Sequence, residues 1–199
     1  MSDEMNPNAP QLVPKKSLGK AAKLLRLLFS VIDPRAYAHA LKILNYYNYS
    51  HVTPLRRIKT LGHLGEGAAI SPNATFANPE RIEIGKRLKL GARCALWAGT
   101  GSGHIKIGDD VLFGPDVMVT AANYRFNDGH PVTEQAMDEA DVVIGNDVWL
   151  GTRAIVLPGA TIGDGAIIGA GALVKGDIPP MSIAVGVPVR IVGKRQVDT

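Results

Sequence analysis

From Ile144 to Val174, an aliphatic residue recurs at every sixth position of the chain. The six anchors are Ile144, Leu150, Val156, Ile162, Ile168 and Val174, and four of them are followed directly by glycine. A period of six fits neither an amphipathic helix nor an alternating strand. It is typical of a parallel β-helix, in which each hexapeptide forms one short side of a repeating coil.

The same period occurs upstream in three shorter runs, separated by insertions at residues 78–82 and 97–104. Their anchors are Leu64, Ile70 and Phe76, then Ile84, Leu90 and Leu96, then Ile107, Phe113 and Val119. With three hexapeptides in each triangular coil, the pattern predicts about five coils stacked at roughly 4.8 Å. The anchors are expected to fill the interior and to carry no chemistry.

One interruption of the period is much longer than the others. Val119 and Ile144 are 25 positions apart where six would suffice, so about 19 residues leave the coil. This excursion, residues 123–141, is rich in polar side chains. Because a rigid scaffold that carries one long polar loop is a common way to build a site, the excursion is the predicted site.

The segments on either side of the repeats differ from them in composition. Residues 1–14 are polar with three prolines and predict a flexible tail. Residues 15–62 predict two basic helices that cap the β-helix of residues 63–180, and residues 181–199 form a C-terminal tail. The alternative for the helical region is an amphipathic segment that lies on anionic lipid.

Composition and charge narrow the classes of function. The chain has 199 residues, of which 46% are hydrophobic and 20% charged, as expected of a folded domain with an appendage. The single cysteine, Cys94, excludes an intramolecular disulfide and a cysteine-rich zinc site, and its slot in a repeat predicts simple packing.

The net charge of +4 comes from the first 60 residues, which hold ten Lys and Arg against three Asp and Glu. Such a basic cluster is compatible with anionic lipid, an acidic ligand or an ordinary solvated face. No nucleic-acid-reading motif accompanies it, so nucleic acid is not an expected partner. Without a convincing targeting or membrane-spanning segment, the expected location is the cytoplasm, with contact at the inner face of the membrane left open.

Two segments carry a family resemblance: IGNDVWLGTRAIVLPGATIGDGAIIGAGALVKGDIPP (144–180) and AVGVPVRIVGK (184–194). They resemble the hexapeptide-repeat acyltransferases. The stretches NYYNYSHVTPLRR and DGHPVTEQ look most like the branch that O-acetylates sugars in bacterial surface polysaccharide biosynthesis. The resemblance implies a left-handed β-helix, a homotrimer and acetyl-CoA as acyl donor. It also implies a sugar, nucleotide-sugar or lipid-linked glycan as acceptor.

The resemblance also implies roles for particular residues. Thr152 and Ala170 match positions that contact CoA, and Arg190 matches a cation near its phosphates. Lys175 and Lys194 stand beside positions where the family has other residues, and they are candidate phosphate partners in their place. Trp149, whose ring is expected to face outward, is predicted to form either a subunit contact or a wall of the acyl-CoA groove.

The family's catalytic histidine falls on Tyr124 in this chain. A tyrosine hydroxyl is ordinarily protonated at neutral pH and is a poor base. One possibility is that His130 or Asp128 on the same loop supplies the base. A second is that Tyr124, with Asn123 beside it, orients the acceptor. The third is that the chain has lost acyl transfer and serves as a binding or scaffold protein.

Two rival activities complete the predictions. An N-acyltransferase that acts on an amino-sugar nucleotide would use the same acyl donor. A carbonic-anhydrase-like metal site would need three converging histidines. Because His104 and His130 alone lack that spacing, no metal is predicted.

Overall fold

A computed structural model of the chain describes residues 19–32 and 34–196. The predicted tail at residues 1–14 lies outside the described residues. The strands, in chain order, are β1 (Ala69–Ile70), β2 (Thr75–Ala77), β3 (Ile82–Ile84), β4 (Lys89–Leu90), β5 (Ala95–Trp97), β6 (Ile105–Ile107), β7 (Leu112–Phe113), β8 (Met118–Thr120), β9 (Ala122–Tyr124), β10 (Met137–Glu139), β11 (Val142–Ile144), β12 (Trp149–Leu150), β13 (Ile155–Val156), β14 (Thr161–Ile162), β15 (Ile167–Ile168), β16 (Leu173–Val174), β17 (Asp177–Ile178), β18 (Ser182–Val185) and β19 (Arg190–Lys194).

These strands form three parallel sheets and one short hairpin. Sheet 1 runs β1-β4-β7-β12-β15-β18 and ends on β19, sheet 2 runs β2-β5-β8-β13-β16, and sheet 3 runs β3-β6-β11-β14-β17. Each turn of the chain adds one strand to each sheet, and β9 and β10 pair outside the three. The predicted parallel β-helix of about five coils is confirmed.

The repeat anchors stack on one another through the coils. Phe113 lies between Leu90 and Leu150 in sheet 1, and equivalent residues of the other two sheets align in the same way. Almost all of these side chains are buried. Burial of each such side chain is worth roughly 1.5–3 kcal/mol, so the ladder stabilises the fold.

The lattice shortens at its C-terminal end. Ile178 lies beside Ile162 in sheet 3, only four positions after the preceding anchor, Val174. The C-terminal segment then adds β18 to sheet 1 as a sixth parallel strand, and β19 turns back against it in antiparallel pairing. The segment predicted as a tail therefore includes a strand hairpin.

Helices precede the β-helix. They are α1 (Lys20–Ile32), α2 (Pro34–Tyr47), a π-helical turn (Asn48–Val52) and α3 (Thr53–Thr60). The chain divides into two compact units between Leu44 and Asn45, so α3 belongs with the strands. Ile58 of α3 is fully buried in their core, and His51 Nδ1 lies 2.7 Å from the Ala74 carbonyl oxygen. The third helix was not predicted, and a capping role for α1 and α2 stays a prediction.

Candidate active site

The excursion from the coil is a hairpin. Tyr124 of β9 pairs with Met137 of β10 in antiparallel register, and a 3₁₀ turn at Val132–Glu134 lies between the two strands. Gln135 is buried in the loop, where its amide donates to the His130 carbonyl oxygen at 2.6 Å. The predicted site loop is therefore an ordered element with its own hydrogen bonds.

Two cavities flank this hairpin. The first, of about 490 Å³ and here called the hairpin cavity, includes Trp97, Thr100, Asn123, Tyr124 and Leu157 in its lining. The second, of about 340 Å³, shares Asn123, Tyr124 and Leu157 and adds Phe126 and Lys175. Tyr124 and Asn123 thus line both cavities, and the Tyr124 side chain is 49% exposed.

The hairpin is fixed to the coil by a carboxylate. Glu139 accepts hydrogen bonds from the backbone N–H groups of Thr100 (2.8 Å), Gly101 (2.9 Å) and Gly103 (2.9 Å), and from that of Ser102. The Ser102 N–H, followed by those of Gly103 and Gly101, holds the pKa of the Glu139 carboxyl far below its usual range. The insertion at residues 97–104 is therefore a loop whose N–H groups converge on one anion.

The two predicted bases lie away from the cavities. His130 Nδ1 lies 3.3 Å from Asp128 Oδ1, and the His130 side chain is 71% exposed. Neither residue lines the hairpin cavity or its smaller neighbour. The structure therefore brings Asn123 and Tyr124 together at the cavities and leaves His130 and Asp128 on the outer part of the loop.

The residues predicted to bind CoA fall on two sides of sheet 2. Thr152 and Ala170 follow β12 and β15 at the corner between sheets 1 and 2. Both residues are exposed, and their backbone N–H groups form no hydrogen bond to another described residue. Lys175 lies beyond the other end of sheet 2, in the smaller cavity with Tyr124.

Arg190 and Lys194 belong to the C-terminal hairpin. The turn before Arg190 is bound to sheet 2, because Leu173 N–H donates to the Gly186 carbonyl and Val189 N–H donates to that of Leu173, each at 3.0 Å. Arg190 then pairs with Val185, Lys194 pairs with Ser182, and both cations are exposed. Arg190 therefore begins the last strand of sheet 1, directly after a turn that is bound to sheet 2.

The structure also places Trp149 and Cys94, and it adds residues that the sequence did not indicate. Trp149 is 49% exposed, as expected from its slot, and lines a groove of about 620 Å³ along the outer face of sheet 1. Cys94 is buried, and burial raises the pKa of its thiol, which agrees with a packed and unreactive residue. Trp97, Thr100, Leu157 and Glu139 were not among the predicted site residues.

Residues 19–32 and 34–196 contain no group of three His, Cys, Asp or Glu side chains arranged to hold a metal ion. Within the same ranges, no helix combines the length and hydropathy needed to cross a membrane.

The sequence is similar to a known protein family and to several curated proteins. Residues 141–176 match the family described as bacterial transferase hexapeptide (six repeats). The galactoside O-acetyltransferase of Escherichia coli strain K12 is 32% identical over 156 residues, which cover 73% of this chain and 72% of that protein. Other curated relatives are matched over only about half of their length.

Solved structures agree with these matches. A galactoside acetyltransferase in complex with coenzyme A superposes with a TM-score of 0.61 at 29% identity, over 80% of each chain. A point mutant of AntD, an N-acyltransferase from Bacillus cereus, in complex with dTDP and coenzyme A gives 0.59 at 25% identity, over 71% of this chain and 89% of that one. The predictions of a left-handed β-helix and of an acyltransferase are confirmed. The chain belongs to the hexapeptide-repeat acyltransferase family.

Proposed function

We propose that this enzyme transfers an acetyl group from acetyl-CoA to a hydroxyl group of a sugar or glycan precursor in bacterial surface polysaccharide biosynthesis. The observation that carries the proposal is the position of Tyr124. It lines both cavities beside the hairpin, and the family resemblance predicts that it stands where the catalytic histidine would be. The identity to a galactoside O-acetyltransferase supports oxygen as the accepting atom.

The reaction is a simple acyl exchange. The acceptor oxygen attacks the thioester carbonyl carbon, the carbon–sulfur bond breaks, and the proton of the hydroxyl passes through a base to the departing sulfur. The products are an acetyl ester and CoA. A backbone N–H donor near the carbonyl oxygen would stabilise the negative charge that develops on it.

Different residues are proposed for orientation of the acceptor and for proton transfer. Asn123 and Tyr124 orient the acceptor hydroxyl from the cavity wall, which lowers the entropy cost of reaching the thioester. His130 or Asp128 is the proposed base. Because both lie outside the cavity lining, the loop or the acceptor must bring the hydroxyl proton within reach of the base. Proton transfer to a positioned base typically raises the rate 10²–10⁴-fold.

The corner of sheets 1 and 2 suits the acyl donor. Acetyl-CoA carries amides and phosphates, and the free N–H groups of Thr152 and Ala170 complement the amide carbonyls. Arg190 and Lys194 complement the phosphates, with a guanidinium best suited to bidentate binding. Lys175 shares the smaller cavity with Tyr124 and is proposed to contact the thioester end of the donor, beside the acceptor, and not its phosphates.

The working unit is proposed to be a homotrimer. The outer faces of sheets 1 and 2 carry exposed apolar side chains, among them Leu112, Trp149 and Ile155. By contrast, the outer positions of sheet 3 include Glu83, Lys106 and Asp177. Apolar faces of this kind are typical of interfaces, and light scattering should give three times the chain mass of 21.1 kDa.

The N-terminal helices suit contact with a membrane surface from the cytoplasmic side. On α1, Leu24, Leu25 and Phe29 are exposed, and Lys20 and Lys23 lie on the same helix. Exposed apolar residues beside cations favour anionic lipid. Co-sedimentation with vesicles that contain phosphatidylglycerol, compared with phosphatidylcholine alone, tests this contact.

One observation favours an alternative acceptor. The likeness to AntD, an N-acyltransferase in complex with dTDP and coenzyme A, supports transfer to the amine of an amino-sugar nucleotide. Both reactions release CoA, so the product distinguishes them. An ester is cleaved by mild base or hydroxylamine, whereas an amide survives.

The test of the proposed function is a CoA-release assay with acetyl-CoA and a panel of sugars, nucleotide sugars and oligosaccharides. We expect acceptor-dependent release of CoA together with an acetylated product. Failure of every acceptor, combined with no calorimetric binding of acetyl-CoA, would instead support a non-catalytic binding protein.

A further inference from the structure

A third cavity, of about 330 Å³, lies where α3 meets the first coil of the β-helix. We call it the α3 cavity. Its lining includes Tyr49, Arg57, Phe76, Asn78 and Glu80. None of these residues was a predicted site residue.

The α3 cavity adjoins the hairpin cavity. Ala77 and Asn78, at the end of β2, line both of them. The Asn78 amide donates to the Ala98 carbonyl oxygen at 2.8 Å, which fixes the boundary between the two cavities. A ligand in contact with Tyr124 on one side of Asn78 can therefore extend past it toward Tyr49 and Arg57.

The charges in the α3 cavity favour an anion. Glu80 is paired with Arg81, with 2.9 Å between the carboxylate oxygen and Nη1. Arg57 is exposed and forms no ion pair with any residue in the described part of the chain. The uncompensated charge in the cavity is therefore a guanidinium, whose planar fork matches a phosphate oxygen pair.

The remaining surface of the cavity favours an aromatic group. The side chain of Tyr49 is 79% exposed, and the cavity lining also includes the buried Pro54 and Phe76. An exposed ring in the same cavity as buried apolar residues offers a stacking face at little cost in desolvation. A neutral oligosaccharide would use the ring but would leave Arg57 without a counter-charge.

We propose that the α3 cavity is a subsite for the nucleoside diphosphate part of a nucleotide-linked acceptor. The base stacks on Tyr49, the diphosphate lies against Arg57, and the sugar reaches across Asn78 to Tyr124. This inference rests on the proposed function for the sugar end, and it identifies the acceptor as a nucleotide sugar. No bond forms or breaks at the subsite.

The test separates binding from catalysis. Isothermal calorimetry measures UDP and dTDP binding to the full chain, to Arg57→Ala, to Tyr49→Ala and to the control Arg56→Ala. Arg56 is exposed and lies on the same helix, but it does not line the cavity. We expect either probe to bind the parent, with about tenfold or greater loss in Arg57→Ala and little change in the control.

Kinetics supply the second readout. We expect Arg57→Ala to raise KM for a nucleotide sugar by about tenfold, without changing KM for acetyl-CoA or the rate with the free sugar. Melting curves confirm that each exposed-site variant is folded. If nucleotide binding depends on Arg57 but no acceptor is acetylated, the subsite stands and the proposed function fails.

Three results would overturn the subsite. The first is a parent protein that binds neither UDP nor dTDP. The second is an equal loss in Arg56→Ala and Arg57→Ala, which would show general attraction to a basic helix. The third is a preferred oligosaccharide or lipid-linked acceptor whose KM is the same in the parent and in Arg57→Ala.

Discussion

The backbone N–H of Thr100 donates a 2.8 Å hydrogen bond to the carboxylate of Glu139, a residue 39 positions later in the chain. The Thr100 hydroxyl donates to the same oxygen at 3.0 Å. Thr100 and Trp97, from the coil, and Tyr124 and Met137, from the hairpin, all line the hairpin cavity. Since Met137 and Glu139 share strand β10, this one carboxylate joins the coil residues of the cavity to the hairpin residues.

Replacement of Glu139 by Gln should lower the melting temperature at pH 7 and release the loop of residues 99–103. The pKa of the folded carboxyl is depressed by the N–H groups of Ser102, Gly103 and Gly101. The carboxylate therefore contributes its full stabilisation at pH values above the pKa of a glutamate in the unfolded chain, about 4.3. That stabilisation is lost as the pH falls toward the lower pKa of Glu139 in the folded protein. The difference in melting temperature between parent and variant should shrink between about pH 5 and pH 3.

A neighbouring carboxylate provides the control for this prediction. Asp138 is paired with Arg125 at 2.6 Å, but its side chain is 69% exposed, so Asp138→Asn should change stability little. Amide hydrogen exchange measures the loop directly. Equal protection of residues 100–103 in the parent and in Glu139→Gln would contradict the role assigned to Glu139.

The repeat region was predictable because its period is a local property of the sequence. Each anchor from Ile144 to Val174 is an aliphatic side chain that packs in the narrow interior of the coil. The period alone therefore predicts the stacked strands, their alignment and the residues of the core. The loop at residues 97–104 could be recognised only as a glycine-rich insertion. Its partner, Glu139, is distant in the chain, and nothing in the local pattern indicates which acid would receive its N–H groups.

The hairpin that carries the candidate site was predictable in position, and its role as the site stays a prediction. The length of the step from Val119 to Ile144 indicated the hairpin, and the family resemblance indicated Tyr124. Spacing could not reveal that Gln135 is buried and holds the loop, or that His130 lies off the cavity lining. Those features depend on how the hairpin folds back on itself.

Substitution of His130 by Ala tests the proposed base. If His130 accepts the hydroxyl proton, kcat should fall at least about tenfold while KM for acetyl-CoA and the oligomeric state stay unchanged. The measurement is a steady-state CoA-release assay in which acetyl-CoA is varied at a fixed acceptor concentration. Asp128→Asn serves as the companion variant, because Asp128 lies 3.3 Å from the ring nitrogen and accepts from the His130 backbone N–H. Unchanged kcat in both variants would exclude the pair as the base.

Substitution of Tyr124 by His tests the departure from the family pattern. Tyr124 lines both cavities, so a histidine there places an ordinary proton acceptor beside the acceptor hydroxyl. We expect kcat to rise severalfold, because an imidazole can hydrogen-bond the acceptor hydroxyl, as proposed for Tyr124, and can also accept its proton. Tyr124→Phe, which removes the hydroxyl and keeps the ring, should instead lower kcat. A Tyr124→His enzyme slower than the parent would show that the tyrosine hydroxyl itself is needed for orientation.

Substitution of Gly151 by Ala tests how closely the coils pack at the corner of sheets 1 and 2, where acetyl-CoA is proposed to bind. A methyl group on Gly151 would lie 2.6 Å from the Ala170 backbone nitrogen, so the neighbouring coils must separate. Overpacking of this kind typically costs about 1–3 kcal/mol, which thermal unfolding can detect. Because Gly193 has no neighbour within 4 Å of the added carbon, Gly193→Ala should melt like the parent. Similar losses in both variants would show that the effect does not come from the corner.

Arg190 and Lys175 lie in different parts of the structure and are assigned different roles. Arg190 follows a turn that is bound to Leu173 and is proposed to bind the donor phosphates, whereas Lys175 shares a cavity with Tyr124. Arg190→Ala should therefore raise KM for acetyl-CoA by about tenfold or more and leave kcat nearly constant.

Lys175→Ala should instead change kcat or the acceptor KM, since Lys175 shares a cavity with Asn123 and Tyr124, which are proposed to orient the hydroxyl. Lys106→Ala, on the outer face of sheet 3, controls for loss of a positive charge. If Lys175→Ala, like Arg190→Ala, raises KM for acetyl-CoA and changes nothing else, the phosphates of the donor must reach the Tyr124 side of sheet 2. The acceptor would then have to enter from the hairpin cavity, which Trp97 and Thr100 line together with Tyr124.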